Sequence, residues 1–318
     1  MNTQIKLAII AIAIVIPLAS LAVTQTNSPS NNSTNENSKL QVVASATFLY
    51  EFSQNIGKEM IDVTLLVPMG ADPHDWEPTI RDTERLQKAD MIIVNGIGYE
   101  HWLNSLELSD IAGILVDTSN GISTLDSANH DEEKHDDHAK EDGHDDEDNH
   151  GVLDPHIWLN PVFAQLQVKN IANALSNSDP TNKNYYQSNA AIYNQKLNLL
   201  DTKIRTELSG CKTDFITFHD AFSYFSEEYG LTQHTIISST DSHGDVTPKT
   251  LEHIISLARE LNIKVIFAEE NTSTKTSQVI ADEIGGKVLV LSPLEIVSDE
   301  TYVEKMTQDL ESLKDALC

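Results

Sequence analysis

Residues 181–208 read TNKNYYQSNAAIYNQKLNLLDTKIRTEL and contain neither glycine nor proline. Their apolar side chains recur at three- and four-residue steps, which is the period of one face of an α-helix. The pattern predicts one amphipathic helix over 181–208, about 40 Å long. A coiled-coil seam between two chains is the alternative, but the run is short for that. We therefore expect a rigid strut that joins two lobes of one chain and permits only small lobe movements. The apolar positions are Tyr186, Ala190, Tyr193, Leu197, Leu200, Ile204 and Leu208.

Short β-rich runs alternate with helical patterns on both sides of this helix, which is typical of parallel βαβ units. The sequence therefore predicts the α/β class, with two βαβ lobes at 40–180 and 209–318 and helix 181–208 between them. In the first lobe the predicted strands are Gln41–Ser45, Val63–Val67, Met91–Val94 and Ile114–Val116, and the predicted helices are Thr47–Gly57 and Thr79–Ala89. In the second lobe the predicted strands are Phe215–Phe218, Thr235–Ile237, Val265–Ala268 and Val288–Leu291, and the predicted helices are Ala221–Tyr229, Pro248–Leu261 and Thr274–Ile284.

The segment 1–39 has the composition of a targeting sequence. Residues 7–23 carry no charged side chain, and residues 24–38 are rich in Ser, Asn and Thr. This pattern predicts a signal peptide with a small-x-small cleavage site at Ser20-Leu21-Ala22, or an uncleaved membrane anchor followed by a polar tether. A buried core helix is the third interpretation. Both of the first two place the protein outside the cytoplasm.

The chain is strongly acidic, with a formal charge of −28. Phosphates would repel such a chain, so nucleic acid is excluded as a partner, whereas small cations are attracted. Residues 126–150 hold twelve acidic residues and five histidines, His130, His135, His138, His144 and His150. This composition predicts a solvated loop, and the mixture of imidazole and carboxylate favours an auxiliary, weak, multi-ion metal site over simple solubilisation.

The chain has two cysteines, Cys211 and Cys318. Outside the cytosol they can form a disulfide that joins the C-terminus to the start of the second lobe, and two unpaired thiols are the alternative. Their spacing does not fit a metal site.

One short motif, Asp-Pro-His-x-Trp, occurs twice, as DPHDW at 72–76 and DPHIW at 154–158. The proline stiffens the backbone and presents each histidine, His74 and His156, from a non-helical loop. Asp72 and Asp154 can cap local backbone donors or orient an imidazole. A single histidine of this kind is more often only a satisfied polar residue, but two matching copies make coincidence less attractive.

His219 is a third candidate because it directly follows a predicted strand, with Asp220 after it. Ligands of open α/β sheets gather beyond the carboxyl ends of the strands, and His74 also lies beyond a strand end. We therefore expect His74, His156 and His219 to meet in the cleft between the lobes. Three imidazoles suit Zn²⁺ and leave a fourth position for water or a carboxylate.

These residues resemble a known family, the zinc branch of the metal-binding solute receptors of ABC transporters (ZnuA-like, with the TroA-like fold). The resemblance covers about residues 40–318, and its motifs are GADPHDWEP at 70–78, DPHIWLNP at 154–161, FHDAFSYF at 218–225 and FAE at 267–269. It implies that His74, His156 and His219 are the metal ligands and that an ABC-type membrane permease receives the zinc. It also implies a protein that is not an enzyme, and we expect it to work as a monomer.

The sequence departs from the family pattern at Ser292, where many relatives have an aspartate. We therefore expect water or Glu269 as the fourth ligand, and Glu269, Asp72, Asp154 and Asp220 are all candidates for that position or for an outer contact. A manganese or iron receptor, a surface adhesin or metal buffer of the same fold, and a zinc hydrolase are the alternatives. No His-Glu-x-x-His motif supports the hydrolase. Because neutral imidazole is the ligand, zinc affinity is expected to fall below about pH 6.5.

Overall fold

The computed structural model describes residues 39–68, 71, 73–106, 111–125, 153–237, 246–270 and 274–318. The predicted targeting segment other than Lys39, the acidic histidine-rich segment 126–150 and Asp72 lie outside the described residues. None of the helices in the described ranges is long and apolar enough to cross a membrane.

The first lobe is built on a parallel four-stranded sheet in the order β2-β1-β3-β4. Of its two central strands, β3 is buried at all four positions, as expected for a sheet covered on both faces. The strands are β1 Leu40–Ala44, β2 Ile61–Leu65, β3 Met91–Val94 and β4 Ile114–Asp117, and the helices that follow β1 and β2 are α1 Thr47–Gly57 and α2 Ile80–Lys88. Each predicted element of this lobe is present; Thr47–Gly57 and Met91–Val94 have the predicted bounds, and the ends of the others are shifted by at most two residues.

A long helical pair follows the first lobe. Helix α3 runs over Pro161–Ser178, and helix α4 runs over Lys183–Glu207 after a 3₁₀ turn at Pro180–Asn182. The long helix expected within 181–208 is therefore present over Lys183–Glu207, and all seven of the predicted apolar positions are buried. Helix α4 packs against α3 and α1 and against the C-terminal helix of the second lobe.

The second lobe repeats the first, with a parallel sheet in the order β6-β5-β7-β8. Its strands are β5 Asp214–Thr217, β6 Thr232–Thr235, β7 Val265–Ala268 and β8 Lys287–Val290, and its helices are α5 Ser223–Tyr229, α6 Pro248–Glu260, α7 Lys275–Ile284 and α8 Tyr302–Leu317.

The prediction for β6 was displaced toward the C-terminus. The strand is polar and partly exposed, since it forms the edge of the sheet, whereas the predicted run 235–237 contains buried Ile236 and Ile237. The backbone N–H groups of these two residues donate to the carbonyls of Thr217, the last residue of β5, and Phe218, which follows it. The apolar pattern therefore marked the continuation of the strand rather than the strand itself.

The two lobes share their largest hydrophobic cluster, and a smaller cluster lies within each lobe. A single cluster of buried side chains includes Val42 and Phe52 of the first lobe together with Phe215 and Leu310 of the second. Separating the lobes would expose this apolar surface to water, which opposes a wide hinge movement. Cys211 and Cys318 form a disulfide that ties the end of α8 to the start of the second lobe, so the predicted pairing is present.

Candidate metal centre

His74, His156, His219 and Glu295 meet in the cleft between the lobes. Each offers one ligand atom, and these atoms all lie within 4.8 Å of one another. In the part of the chain that the structure describes, this is the one group of three or more histidine, cysteine or acidic side chains close enough to hold an ion. The three histidines that the sequence predicted are therefore brought together.

The parallel direction of the strands in each sheet explains this convergence. His74 follows β2, His219 follows β5 and Glu295 follows β8, so three of the four residues lie beyond the carboxyl ends of parallel strands. His156 comes from the segment that leads into α3, directly before a 3₁₀ turn at Ile157–Leu159. The chain thus delivers two side chains from each lobe to one point.

The distances within the cluster fit a tetrahedral ion. Nε2 of His156 lies 3.4 Å from Nε2 of His219 and 3.4 Å from Oε1 of Glu295. Ligands about 2.0–2.1 Å from a tetrahedral Zn²⁺ lie about 3.3–3.4 Å from one another. Nε2 of His74 lies 2.8 Å from Glu295 Oε1, the length of a hydrogen bond. An ion would replace that bond by two shorter contacts to itself.

Two further carboxylates fix the orientation of two imidazoles. Nδ1 of His156 lies 2.7 Å from Asp154 Oδ1, and Nδ1 of His219 lies 2.6 Å from Glu269 Oε1. A carboxylate at Nδ1 holds the proton there and leaves the Nε2 lone pair free for a metal. Asp154 and Glu269 thus make outer contacts, which is one of the two roles expected for each.

Asp220, the remaining candidate in the described ranges, stands outside the cluster. Its carboxylate accepts a hydrogen bond from the Ser223 hydroxyl at 2.6 Å, and burial raises its pKa. Asp72 and the histidines of segment 126–150 lie outside the described residues.

Glu295 is the site residue that the sequence did not reveal. It lies four residues beyond the predicted strand Val288–Leu291, in an irregular segment without a recognisable motif. The other lobe holds this segment by hydrogen bonds, since Trp158 Nε1 donates to Pro293 O and Thr47 Oγ1 donates to Leu294 O. The available signal was the position alone, an acidic side chain beyond the carboxyl end of a parallel strand.

Burial and charge set the protonation of the metal-free cluster. Burial alone would lower the pKa of His156, but the carboxylates of Asp154 and Glu295 raise it to about 10. Burial would raise the pKa of Glu295, but the charge of His74 and the hydrogen bonds from His156 and His74 hold it well below its usual range. Without metal, therefore, a proton on His156 occupies part of the place that a cation would take.

Aromatic side chains exclude water around two of the imidazoles. Tyr99 meets His74 edge to face with ring centroids 5.6 Å apart, and Trp158 lies 5.1 Å from His156. His156 and His219 are fully buried, and the side chain of His74 is only 4% exposed. Once the imidazoles have lost their extra protons, this poorly solvated set of three nitrogens and one carboxylate binds a cation more strongly than the same groups would in water.

Two parallel-sheet lobes that share a core and enclose a His₃Glu cluster define the class of two-lobed metal-binding solute receptors. The family model described as "ZnuA: Zinc-uptake complex component A periplasmic" matches residues 42–316, and the chain belongs to this family. The expected fold class and the family resemblance are both confirmed.

Similar proteins agree with this assignment. The chain is 40% identical over 288 residues to the high-affinity zinc uptake system protein ZnuA of Bacillus subtilis, covering 88% of each. It is 31% identical over 287 residues to the zinc-binding protein AdcA of Streptococcus pyogenes, covering 87% of this chain and 56% of AdcA. The crystal structure of the metal-dependent lipoprotein YcdH from Bacillus subtilis aligns with a TM-score of 0.72 and 38% identity, covering 88% of this chain and 99% of YcdH.

Proposed function

We propose that this protein is an extracytoplasmic Zn²⁺ receptor in which His74, His156, His219 and Glu295 bind the ion. One observation carries the proposal: four buried or nearly buried donors, three nitrogens and one oxygen, lie within 4.8 Å of one another at the meeting point of the lobes. The ion is the cargo of the protein, and Asp154 and Glu269 orient two of its ligands.

The donor set favours zinc over manganese or iron. Zn²⁺ accepts four ligands in a tetrahedron and binds imidazole well, whereas Mn²⁺ prefers six ligands that are mostly oxygen. The two 3.4 Å edges of the cluster have the length that a tetrahedral zinc site requires. Three imidazoles in a small buried site leave little room for additional oxygen ligands.

The same completeness argues for a receptor rather than a zinc hydrolase. Catalytic zinc keeps three protein ligands and an open position for the water that it activates. Here Glu295 supplies the fourth ligand from the protein. A site closed by four side chains binds and holds its ion, as a receptor must.

We infer that the protein hands its zinc to an ABC-type permease in the membrane. The family description, a periplasmic component of a zinc-uptake complex, and the names of the relatives support this role and the location outside the cytoplasm. We further infer that the acidic histidine-rich segment 126–150 gathers Zn²⁺ weakly before the buried site takes it, and that the receptor acts as a monomer.

Competition calorimetry on the full chain tests the proposal. In one variant His74, His156 and His219 are replaced by alanine. In the matched control three histidines outside the cluster, His101, His234 and His253, are replaced instead. Both variants lose the same number of imidazoles and keep segment 126–150, so weak binding by that segment is equal in the two.

We expect the wild type and the control to bind one Zn²⁺ in competition with a strong chelator. The triple site variant is expected to retain only weak binding, because its remaining carboxylate cannot hold the ion alone. Tight binding that survives in the site variant would refute the proposed site. Delivery to a permease is then tested by expressing this protein in zinc-starved cells that lack their own zinc receptor. Restored growth supports delivery.

A further inference from the structure

The hydroxyl of Tyr224 joins both ends of the segment that contains the acidic histidine-rich insertion. Tyr224 belongs to α5 of the second lobe and is 1% exposed. Its hydroxyl accepts a hydrogen bond from the Leu125 N–H at 3.0 Å and donates one to the Asp154 carbonyl at 2.7 Å. Leu125 and Asp154 also hydrogen bond to each other, since the Asp154 N–H donates to Leu125 O at 3.1 Å. One hydroxyl therefore holds the point where the insertion leaves the lobe and returns to it.

Asp154 connects this point to the metal cluster. Its Oδ1 accepts from both the backbone N–H and the Nδ1 of His156, at 3.0 and 2.7 Å. Its Oδ2 is buried and has no hydrogen-bond partner among the described residues. Among the described residues, the hydrogen bonds of the carboxylate thus all come from His156, through its backbone N–H and the imidazole that it orients. Its own position depends on the backbone of Asp154, which Leu125 and Tyr224 hold.

We propose that Tyr224 is a positioning residue for zinc binding, acting through Asp154 on the ring of His156. The proposal rests on the function proposed above and assigns a role to a side chain that does not touch the cluster. Tyr224 comes from the second lobe, whereas Asp154 and His156 precede α3. The contact therefore fixes a ligand of one lobe relative to the other, and it also places the two ends of the insertion beside that ligand.

Other hydrogen bonds on the same segment cannot replace this one. Asn95 Nδ2 donates to Pro155 O, and Tyr302 donates to Trp158 O. The first bond holds the carbonyl of Pro155, directly before His156, and the second holds the carbonyl of Trp158, two residues after it. Neither bond is made to the carbonyl of Asp154. Within the described part of the chain, the carbonyl of Asp154 accepts its hydrogen bond from Tyr224.

Replacing Tyr224 by phenylalanine tests the proposal with little disturbance of packing. The ring packs edge to face on Phe163 with centroids 5.7 Å apart, and this contact does not need the hydroxyl. Tyr186→Phe is the matched control: Tyr186 is also fully buried, and its hydroxyl donates at 2.8 Å to Asp179, at the end of α3 opposite to His156. Both variants lose one hydroxyl of a buried tyrosine and the short hydrogen bond that it donates to an aspartate, and Tyr224→Phe also loses the bond accepted from the Leu125 N–H.

Two measurements on the full chain distinguish positioning from general destabilisation. The first is the rate at which the loaded protein releases zinc to an excess of chelator. The second is the visible absorption of the Co²⁺-loaded protein, which reports the geometry of the ligands. In Tyr224→Phe we expect release about three- to tenfold faster and a shifted Co²⁺ spectrum, since outer contacts of metal ligands typically affect affinity by about 10–100-fold and this one is a step further out. In Tyr186→Phe we expect less than about a twofold change and an unaltered spectrum.

A double-mutant cycle checks the route through Asp154. If Tyr224 acts through that carboxylate, Tyr224→Phe adds little to the effect of Asp154→Asn, because the two changes remove links of one chain. Wild-type release rates and spectra in Tyr224→Phe, or fully additive effects in the cycle, would overturn the proposal while leaving the zinc receptor intact. A wild-type protein that binds no zinc would instead refute the function.

Discussion

Glu295 differs from the other three residues of the cluster because it contributes a negative charge. Its Oε1 lies 2.8 Å from His74 and 3.4 Å from His156, so one carboxylate pairs with two imidazoles from the first lobe. The neutral amide of Glu295→Gln has nearly the same volume but is a weaker ligand for a cation. We expect zinc affinity to fall by about 10- to 100-fold, measured by competition with chelators of known strength.

The control for this substitution is Glu300→Gln. Glu300 lies on the same irregular segment but is exposed, so the same chemical change leaves the cluster untouched. Its zinc affinity is expected to stay within about twofold of the wild type. If Glu295→Gln behaves like Glu300→Gln, then water or another group completes the coordination and the fourth ligand must be reassigned.

The pH dependence of zinc binding follows from the raised pKa of His156. Zinc must displace the proton that this imidazole holds up to about pH 10 in the metal-free protein. Affinity should therefore continue to rise with pH above 6.5, and zinc binding near pH 7.4 should release about one proton from His156. Calorimetry in buffers of different ionisation enthalpy measures that proton directly.

The same shift has a consequence for the stability of the metal-free fold. A histidine whose pKa is raised on folding stabilises the native state fully below its unfolded pKa of about 6.5, and that contribution is lost as the pH rises toward 10.

Asp154→Asn removes a carboxylate that keeps the proton on His156, so this variant should release fewer protons per zinc bound than the wild type does. Equal proton release in the two proteins would show that Asp154 does not hold the proton.

The sequence identified the imidazoles but not the carboxylate, and the reason is physical. Each histidine has local marks, either the Asp-Pro-His-x-Trp motif or a position directly after a strand. Glu269 and Glu295 both follow strands of the second sheet, and sequence alone cannot tell which one reaches the ion. In the structure Glu269 bonds to the backbone N–H and Nδ1 of His219, so its carboxylate is already engaged behind that ring. The pH range over which zinc affinity should change differs from the sequence-based expectation for a similar reason. The pKa of His156 is raised by Asp154 and Glu295 together, and the contact with Glu295 is seen only in the structure.

At the scale of elements, the start of α3 joins the site to the second lobe. Asn160 is the N-cap of this helix, and its Oδ1 accepts from the Val162 N–H at 2.8 Å. Its Nδ2 donates to Glu228 Oε2 at 3.1 Å, across the lobe boundary. One side chain thus caps a helix and also makes an interlobe contact.

Two substitutions at Asn160 separate these roles. Asn160→Ala removes both and should lower the free energy of unfolding by about 1–2 kcal/mol, whereas Asn160→Ser keeps a capping oxygen and should recover about 1 kcal/mol of this loss. Urea denaturation of the metal-free proteins gives the comparison. Equal stability of the serine and alanine variants would mean that the interlobe contact, not the cap, is the stabilising part.

The helices and strands were predictable where one periodicity dominates. In α4 the apolar positions at three- and four-residue steps define a single buried face, and the structure buries each of them. Strand β6 shows the opposite case. Its sequence TQHT at 232–235 is polar because it lies at a sheet edge, so hydrophobicity pointed to the buried residues after it. The interlobe hydrogen bond from Asn160 Nδ2 to Glu228 is likewise invisible in sequence, since 68 positions separate the two residues.

At the scale of the whole molecule, the disulfide between Cys211 and Cys318 encloses nearly the entire second lobe. The two cysteines are 107 positions apart, so the link removes much freedom from the unfolded chain. Replacing both by serine should lower the free energy of unfolding by about 2–4 kcal/mol. Helix α8 should nevertheless stay docked, because Leu310, Leu313 and Leu317 are buried in the shared core.

The double serine variant should therefore unfold earlier but bind zinc with nearly wild-type affinity. Thermal melts with and without zinc measure the first effect, and competition titration measures the second. Three of the four cluster residues lie beyond the carboxyl ends of the strands, whereas the disulfide joins the segment before β5 to the end of α8. A large loss of affinity would show that the disulfide shapes the site itself.

The acidic insertion accounts for twelve of the chain's 49 acidic residues and five of its 12 histidines. Its charge should attract Zn²⁺ from solution and speed association, an effect that salt screens. The backbone hydrogen bond between Leu125 and Asp154 shows that the two ends of the insertion meet, so residues 127–151 can be replaced by a short Gly-Ser linker. We expect the trimmed protein to bind a single zinc with affinity within about threefold of the wild type, because the buried cluster loses no ligand.

The rate of zinc capture should change more than the affinity does. Stopped-flow mixing with zinc at low and high ionic strength should show slower association in the trimmed protein at low salt and a smaller difference at high salt. A third variant, with the five histidines of the insertion replaced by asparagine and its acidic residues kept, separates steering by charge from capture by imidazole. If this variant associates as slowly as the trimmed protein, the imidazoles capture the ion; if it associates like the wild type, the carboxylates do so by charge alone. If trimming abolishes tight binding, the insertion contributes to the site, and the cluster of His74, His156, His219 and Glu295 is incomplete without it.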